Sequence, residues 1–299
     1  MDRLKGIIMI ISGGMLWGAT GPMMEWILLN GEMSVSYMLT VRLLIAGTFL
    51  LTVLKMQGKQ IGLPWRQKVW ARQLIMFGMF GMLGVQYTFA ASIEMSNAVI
   101  ATLFQFLAPI FIIIFVTFTR KMWPPAVQML GMIVTLVGLF LLLTNGSLSG
   151  FALSNAAVAW GIAVGFTFSF YTLYPVRLMQ ELGVLLSVGW AMIIGGIMLF
   201  VTNPLNIITH LEYLADWKVT AMLLLVIIVG TAAFILFMSS MKYISPIEIS
   251  ILSSFEPLTA MVISVLWFGQ VLGAWQFAGA FVMLIGVTWL SIAGSKAKT

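Results

Sequence analysis

The sequence contains no cysteine and only one histidine, His210, among 299 residues. The absence of cysteine excludes a disulfide framework and thiolate ligation of a metal. A single histidine in a short polar loop does not build a metal site, so no cofactor is expected. The sequence also shows neither a nucleophile–base constellation nor a glycine-rich phosphate loop. We therefore do not expect an enzyme.

Charged residues are scarce as well: they make up 8% of the chain, whereas 61% of the residues are hydrophobic. A soluble protein of this length needs more polar residues to cover its surface. The apolar runs are about 20 residues long, the length that a transmembrane α-helix requires. They lack the short alternating segments of a membrane β-barrel. We predict an all-α integral membrane protein embedded in a lipid bilayer.

The apolar runs predict ten transmembrane helices. Their approximate ranges are 6–29, 34–55, 74–93, 97–119, 125–144, 156–176, 184–202, 218–239, 246–268 and 274–293. The first run follows two basic residues, as the apolar segment of a signal peptide does. It is longer than such a segment and lacks a clear cleavage site, so we expect it to remain as a helix.

The basic residues support this number of helices through the positive-inside rule. If both termini are cytoplasmic, all but two of the fifteen Lys and Arg residues fall in cytoplasmic segments; the exceptions are Lys218 and Arg42. This distribution predicts a multi-pass protein of a bacterial-type inner membrane. The basic loop 55–72 would then face the anionic inner leaflet, so we expect no nucleic acid partner.

The chain contains an internal repeat with an offset of 148 residues. Pro109, Gln128, Gly131 and Gly138 align with Pro257, Gln276, Gly279 and Gly286. Five spans per copy is an odd number, so the copies should have opposite orientations in the membrane. We predict two inverted five-helix repeats, residues 1–148 and 149–299.

Proline interrupts three of the predicted helices. Pro257 cannot donate a backbone hydrogen bond, which should leave the carbonyl of Ser253 without its helical partner. At membrane depth such a break is tolerated only where protein or water satisfies the freed group. Pro109 predicts a similar break in the fourth span, and Pro175 predicts one in the sixth. Inverted repeats with paired interruptions are typical of secondary transporters, whose binding site lies near the midplane.

Several short motifs accompany the repeat: Leu16-Trp17-Gly18, Arg42, Pro109 and Glu256-Pro257, with the glutamines and glycines aligned above. In these residues the chain resembles the EamA family of the drug/metabolite transporter superfamily, over nearly its whole length. The resemblance implies export or exchange of a small metabolite, with amino acids and drugs among the family's substrates. The family often carries Glu near the ends of spans four and nine, where this chain has Met122 and Gln270. The resemblance therefore implies no role that depends on those carboxylates.

Glu256 is the first candidate for chemistry, because a carboxylate at membrane depth needs a partner, a proton or water. It could couple transport to a proton or bind a substrate amine; alternatively, it caps the opened helix. Arg42 lies at about the depth of Glu25, with which it could form an ion pair. Alternatively, Arg42 binds a substrate carboxylate. We interpret Glu248, in the first turn of its span, as a carboxylate that stabilises a helix N-terminus.

Polar and aromatic residues at similar depths complete a candidate cavity for an amphipathic metabolite. They are Trp17, Gln86, Tyr87, Gln105, Tyr171, Tyr174, Ser250, Ser253 and Ser254. Each of them could instead form hydrogen bonds between helices or belong to an interfacial aromatic belt. Four glycine pairs are interpreted as positions of close helix packing, because each pair shares one helix face. They are Gly14/Gly18, Gly161/Gly165, Gly131/Gly138 and Gly279/Gly286.

The sequence as a whole predicts a secondary transporter that works by alternating access, as an exporter or exchanger. The partners that we expect are a small-molecule substrate and a coupling proton. The alternative is a membrane scaffold or sensor that keeps the transporter fold without transport.

Overall fold

The computed structural model describes residues 2–31, 33–96, 98–121, 123, 125–147, 154–202, 204, 211–268 and 273–296. Across these residues the secondary structure is helical, and no β-strand occurs among them. The prediction of an all-α protein is confirmed.

Each of the ten predicted spans corresponds to one helix or to a pair of shorter helices. They are α1 (Asp2–Asn30), α2 (Val35–Met56), α3 (Lys68–Met95), α4a (Ala98–Gln105), α4b (Ala108–Arg120), α5 (Ala126–Thr144), α6a (Asn155–Leu173), α6b (Val176–Leu182), α7 (Val184–Thr202), α8 (Trp217–Ser240), α9a (Pro246–Leu252), α9b (Phe255–Phe268) and α10 (Ala274–Lys296). Within the described residues, seven stretches are long and apolar enough to cross a membrane, namely α1, α2, α3, α4, α6, α7 and α8. The described apolar parts of α5 and α10 are shorter, and α9 is divided by its break.

Helix α3 differs from the prediction, because it begins at residue 68 rather than 74. Its middle, Phe77–Leu83, is a π-helix. A Cβ atom added to Gly78 would lie 2.8 Å from side-chain atoms of Ile194, so α3 approaches α7 closely here. Glycine makes this approach possible, and π-helical turns are frequent at functional sites.

The helices pack in pairs that join the two halves of the chain. Helix α1 packs along α8, α2 along α7, α3 along α6 and α5 along α10. A two-fold axis that exchanges α1–α5 with α6–α10 maps the α2–α7 and α5–α10 pairs onto themselves. The same axis maps α1–α8 onto α3–α6. The pattern of packing is therefore that of a repeat with internal two-fold symmetry.

Glycines form the contact between α5 and α10, as their spacing predicted. A Cβ atom on Gly279 would overlap the backbone of Leu142 and Gly138. One on Gly286 would lie 2.6 Å from the hydroxyl of Thr135 and 2.9 Å from its amide nitrogen. Such close backbone approach is the usual role of small residues between membrane helices.

We expect the substitution Gly138→Ala to destabilise the protein. Its Cβ atom would overlap the amide nitrogen of Met283, so α5 and α10 must move apart. We expect a loss of about 1–3 kcal/mol from overpacking, partly offset by the better helix propensity of alanine. The apparent melting temperature in detergent measures the change. Gly84→Ala is the matched control, because its Cβ atom would meet its nearest neighbour at 3.4 Å and should not lower the melting temperature.

An ion pair joins α1 to the start of α9a. Arg3 Nη2 lies 2.9 Å from Glu248 Oε1. The other oxygen of Glu248 accepts a hydrogen bond from the Ser245 amide at 3.0 Å, and the Ser245 hydroxyl accepts one from the Glu248 amide. Glu248 therefore caps the helix N-terminus, as predicted, and also binds a residue of the other repeat, which the sequence did not predict.

We expect Arg3→Ala to lower the stability by about 1 kcal/mol, because the pair is only partly screened by solvent while Glu248 keeps its capping bonds. A double-mutant cycle with Glu248→Gln, read out as apparent melting temperature, measures the interaction. Additive effects of the two substitutions would contradict a direct stabilising contact.

Candidate functional site

The break in the ninth span lies at Ser253 and Ser254, between α9a and α9b. The Ser253 carbonyl accepts a hydrogen bond from the Glu256 amide at 2.9 Å. Pro257 removes the usual helical partner of this carbonyl, and the tight turn replaces it by bringing the Glu256 amide, three residues ahead, within reach. The hydroxyl of Ser254 donates to the carbonyl of Ile251 at 2.5 Å. Both serines are buried and stabilise the turn.

The other interruptions also lie beside prolines. Helix α4a ends at Gln105, and Pro109 lies in the first turn of α4b. The Leu107 amide donates to the Phe104 carbonyl at 3.0 Å in the turn between them. Tyr174 and Pro175 separate α6a, which ends at Leu173, from α6b, which begins at Val176.

A hydrogen bond connects the fourth-span break to the ninth-span break. Gln105 Nε2 donates to Glu256 Oε2 at 2.8 Å, and both side chains are buried. Only 6% of Glu256 is exposed. The carboxylate at membrane depth is thus held by an amide from the other repeat.

Glycines allow the first helix of each repeat to pack on the break of the other repeat. A Cβ atom on Gly18 of α1 would overlap the Glu256 carbonyl oxygen, and one on Gly14 would lie 3.2 Å from the Ser253 oxygen. In α6a, a Cβ atom on Gly165 would lie 3.1 Å from the Phe104 oxygen. The two glycine pairs therefore position the breaks as well as the helices.

A cavity of about 40 Å³ lies where α1, α2, α3, α4a, α6a, α8 and α9b meet. It is lined by Trp17, Thr20, Met24, Arg42, Val85, Gln86, Phe89, Gln105, Phe168, Phe234 and Glu256. The candidates predicted from the sequence that reach this cavity are Trp17, Arg42, Gln86, Gln105 and Glu256.

Arg42 is 4% exposed. Its Nη1 donates to Met24 Sδ at 3.2 Å, and its Cζ lies 5.8 Å from the ring centroid of Phe234. Arg42 forms no ion pair with Glu25 within the part of the chain that the structure describes. Met24 faces Arg42, so the next residue points about 100° away around the helix. Of the two alternatives for Arg42, the ion pair with Glu25 therefore does not form in this structure.

Gln86 is buried, and neither its amide nitrogen nor its amide oxygen has a hydrogen-bond partner among the described residues. Buried polar atoms of proteins are nearly always paired, so an unpaired amide in a cavity wall calls for an explanation.

An aromatic cluster closes one side of the cavity. Trp17 meets Phe234 edge-on at 4.8 Å between ring centroids, and Phe237 lies 4.9 Å from Trp17. Tyr171 is fully buried in this cluster, 5.6 Å from Phe237, and does not line the cavity. Trp17 and Phe234 thus belong both to the cavity wall and to this aromatic cluster.

The remaining candidates lie elsewhere. Tyr87 packs against Trp160 at 5.9 Å, and Tyr174 stacks on Phe170 at 4.5 Å. The side chain of Ser250 lies outside the described residues, as do Met122 and Gln270.

Sequence reasoning missed Thr20, Met24 and Phe89, which line the cavity. Thr20 and Met24 follow Trp17 by three and seven residues, and Phe89 follows Gln86 by three, so helical spacing could have found them. Phe168 and Phe234 carry no comparable signal.

The EamA-like transporter family matches this chain twice, over residues 4–144 and over residues 155–292. The chain belongs to the EamA-like transporter family. Its fold is accordingly that of an all-α membrane protein with ten transmembrane helices in two inverted five-helix repeats. A protein of this family is a membrane transporter that binds a small-molecule substrate and resides in a lipid bilayer. The resemblance drawn from the sequence motifs is confirmed.

A relative from Salmonella typhimurium is 32% identical over 289 residues, which cover 96% of this chain and 95% of the relative. It is named "Uncharacterized inner membrane transporter YicL". A solved structure named "Crystal structure of protein" superposes with a TM-score of 0.75 and 16% identity, covering 99% of this chain and 100% of its own. At that identity the likeness concerns the fold alone.

Proposed function

We propose that this protein is a secondary transporter that moves a small metabolite across the inner membrane by alternating access. The observation that carries the proposal is the Gln105–Glu256 hydrogen bond, which joins the two helix breaks in the wall of a buried cavity. Paired breaks around a polar site between repeats are the arrangement that secondary transporters use. The name of the Salmonella relative supports an inner-membrane location.

The size of the cavity supports a cycle with at least one further conformation. A cavity of about 40 Å³ has room for only a few water molecules. A metabolite needs more space, so the helices around the cavity must move apart to admit it. The helix pairs that join the two repeats supply the surfaces along which this movement would take place.

The lining favours an amphipathic metabolite, amino acid-like or drug-like. Aromatic rings of Trp17, Phe89 and Phe168 offer apolar surface, while Arg42 and Glu256 offer charge. The distribution of basic residues supports a cytoplasmic location of both termini. The proposed direction of transport is export or exchange, as the family resemblance implies.

Glu256 is the residue proposed to carry a coupling proton. A carboxylate at this depth is unfavourable unless it is protonated or paired, and Gln105 supplies only one neutral hydrogen bond. Exchange of a proton with the substrate at this position would couple the two fluxes.

Flux through the purified protein in proteoliposomes tests the proposal. Vesicles preloaded with single amino acids or their toxic analogues should release at least one of them faster than protein-free vesicles. A monodisperse, folded protein that moves no member of a broad metabolite panel would contradict transport and favour a scaffold or sensor with the same fold.

A further inference from the structure

Arg42 is a buried cation that forms no ion pair among the described residues. Its Nη1 donates a hydrogen bond to the thioether of Met24, which is a weak acceptor. The other neighbours are the ring of Phe234 and the backbone of Gly230, over which the guanidinium packs. A guanidinium has five N–H donors, and burying it without a counter-charge is unfavourable. The cavity is therefore the place where an anion can bind.

Gln86 provides a second, independent observation in the same cavity wall. Its side-chain amide is buried, and neither polar atom has a partner among the described residues. Its N–H₂ group can donate to an acceptor inside the cavity. Arg42 and Gln86 come from different helices, α2 and α3, so a ligand between them would bind two separate walls.

The site fits a carboxylate better than other anions. The guanidinium presents donors in a planar fork that matches a carboxylate. One guanidinium balances a single charge, and the Glu256 carboxyl group in the same cavity disfavours a dianion such as phosphate. The rings of Trp17, Phe89 and Phe168 would contact an apolar body attached to the carboxylate.

We propose that Arg42 and Gln86 form the binding site for the carboxylate of a small, singly charged substrate with an apolar body. This inference rests on the proposed transport function, because the same cavity is the substrate site. Arg42 provides a charged donor for the carboxylate, and Gln86 provides a neutral donor.

Binding to the purified protein in detergent tests the inference without measuring flux. The probes are propionate and phenylacetate, each compared with its primary amide by titration calorimetry. We expect both carboxylates to bind, and Arg42→Met to weaken their binding about 10- to 100-fold, as loss of a charge-assisted hydrogen-bonded pair predicts. Arg42→Lys should weaken it less, because the charge remains without the fork. Arg72→Met, at an exposed arginine, is the matched control and should leave binding unchanged.

Gln86→Leu keeps the approximate volume of the side chain and should weaken carboxylate binding severalfold while leaving Arg42 in place. It also keeps the test decisive if Arg42→Met does not fold, which size-exclusion profiles would reveal. Equal affinity for each carboxylate and its amide would overturn the inference, as would equally strong binding of inorganic phosphate or sulfate. If the protein transports substrates but shows no preference for carboxylates, only this inference is overturned. If it binds carboxylates but transports nothing, only the proposed transport function is overturned.

Discussion

Gly18→Ala is expected to reduce the rate of transport about tenfold or more, although it adds only one methyl group. An increase of about 1.4 kcal/mol in the free-energy barrier of transport is enough for a tenfold reduction. The new Cβ atom would overlap the carbonyl oxygen of Glu256 and lie 2.9 Å from Cβ of Thr259. These neighbours are backbone and a stiff β-branched side chain, so they cannot rotate away. The break in α9 must therefore shift, and with it the hydrogen bond from Gln105.

The measurement is initial flux in proteoliposomes, normalised to the amount of inserted protein. Gly21→Ala is the matched control in the same helix, because no atom lies within 4 Å of its added Cβ. We expect the control to retain normal flux. Equal flux of both variants would show that the contact between α1 and the break is not needed for transport.

The second large effect is expected at Glu256. Replacing it with glutamine keeps the volume and the hydrogen bond to Gln105 after an amide rotation, but removes the ability to exchange a proton. We expect Glu256→Gln to bind substrate and to lose the stimulation of flux by a pH gradient. Glu256→Ala should also leave the Gln105 amide unpaired, at a cost of about 1–3 kcal/mol, and lose both binding and flux.

Flux with and without an imposed pH gradient separates these outcomes. Glu94→Gln is the control, because this carboxylate is exposed at the end of α3. A Glu256→Gln variant whose flux keeps the pH response of the wild type would contradict proton coupling at this residue. The Glu256→Ala variant would then still test whether Glu256 takes part in substrate binding.

The sequence predicts the helices well because the bilayer constrains them. Apolar length determines each span, and the helices α2 and α7 begin within one residue of their predicted starts. The closely packed glycines of α5 and α10 follow from their spacing, since only one helix face can make such an approach. Proline marks where the helices break, although the turn at Ser253 satisfies the backbone in a way that the proline does not reveal.

The cavity is less predictable, because depth along a helix does not specify rotation about it. Gln86 lines the cavity while its neighbour Tyr87 packs against Trp160. In the same way, Met24 rather than Glu25 meets Arg42. Phe234 is one of many aromatic residues in apolar helices, and only tertiary packing distinguishes it. Residue type and depth therefore identify candidates, and helix rotation selects among them.

The two repeats contribute residues of opposite charge to the cavity, Arg42 from the first and Glu256 from the second. Trp190 stands at the position that corresponds to Arg42, and Ala108 at the position that corresponds to Glu256. Were the two repeats identical, exchanging their conformations would convert an inward-open state into an outward-open state of equal free energy. Only positions where the halves differ can make one state more populated. In the proposed alternating-access cycle, we therefore expect Arg42 and Glu256 to influence which side of the membrane the empty protein faces at rest, in addition to whatever they bind.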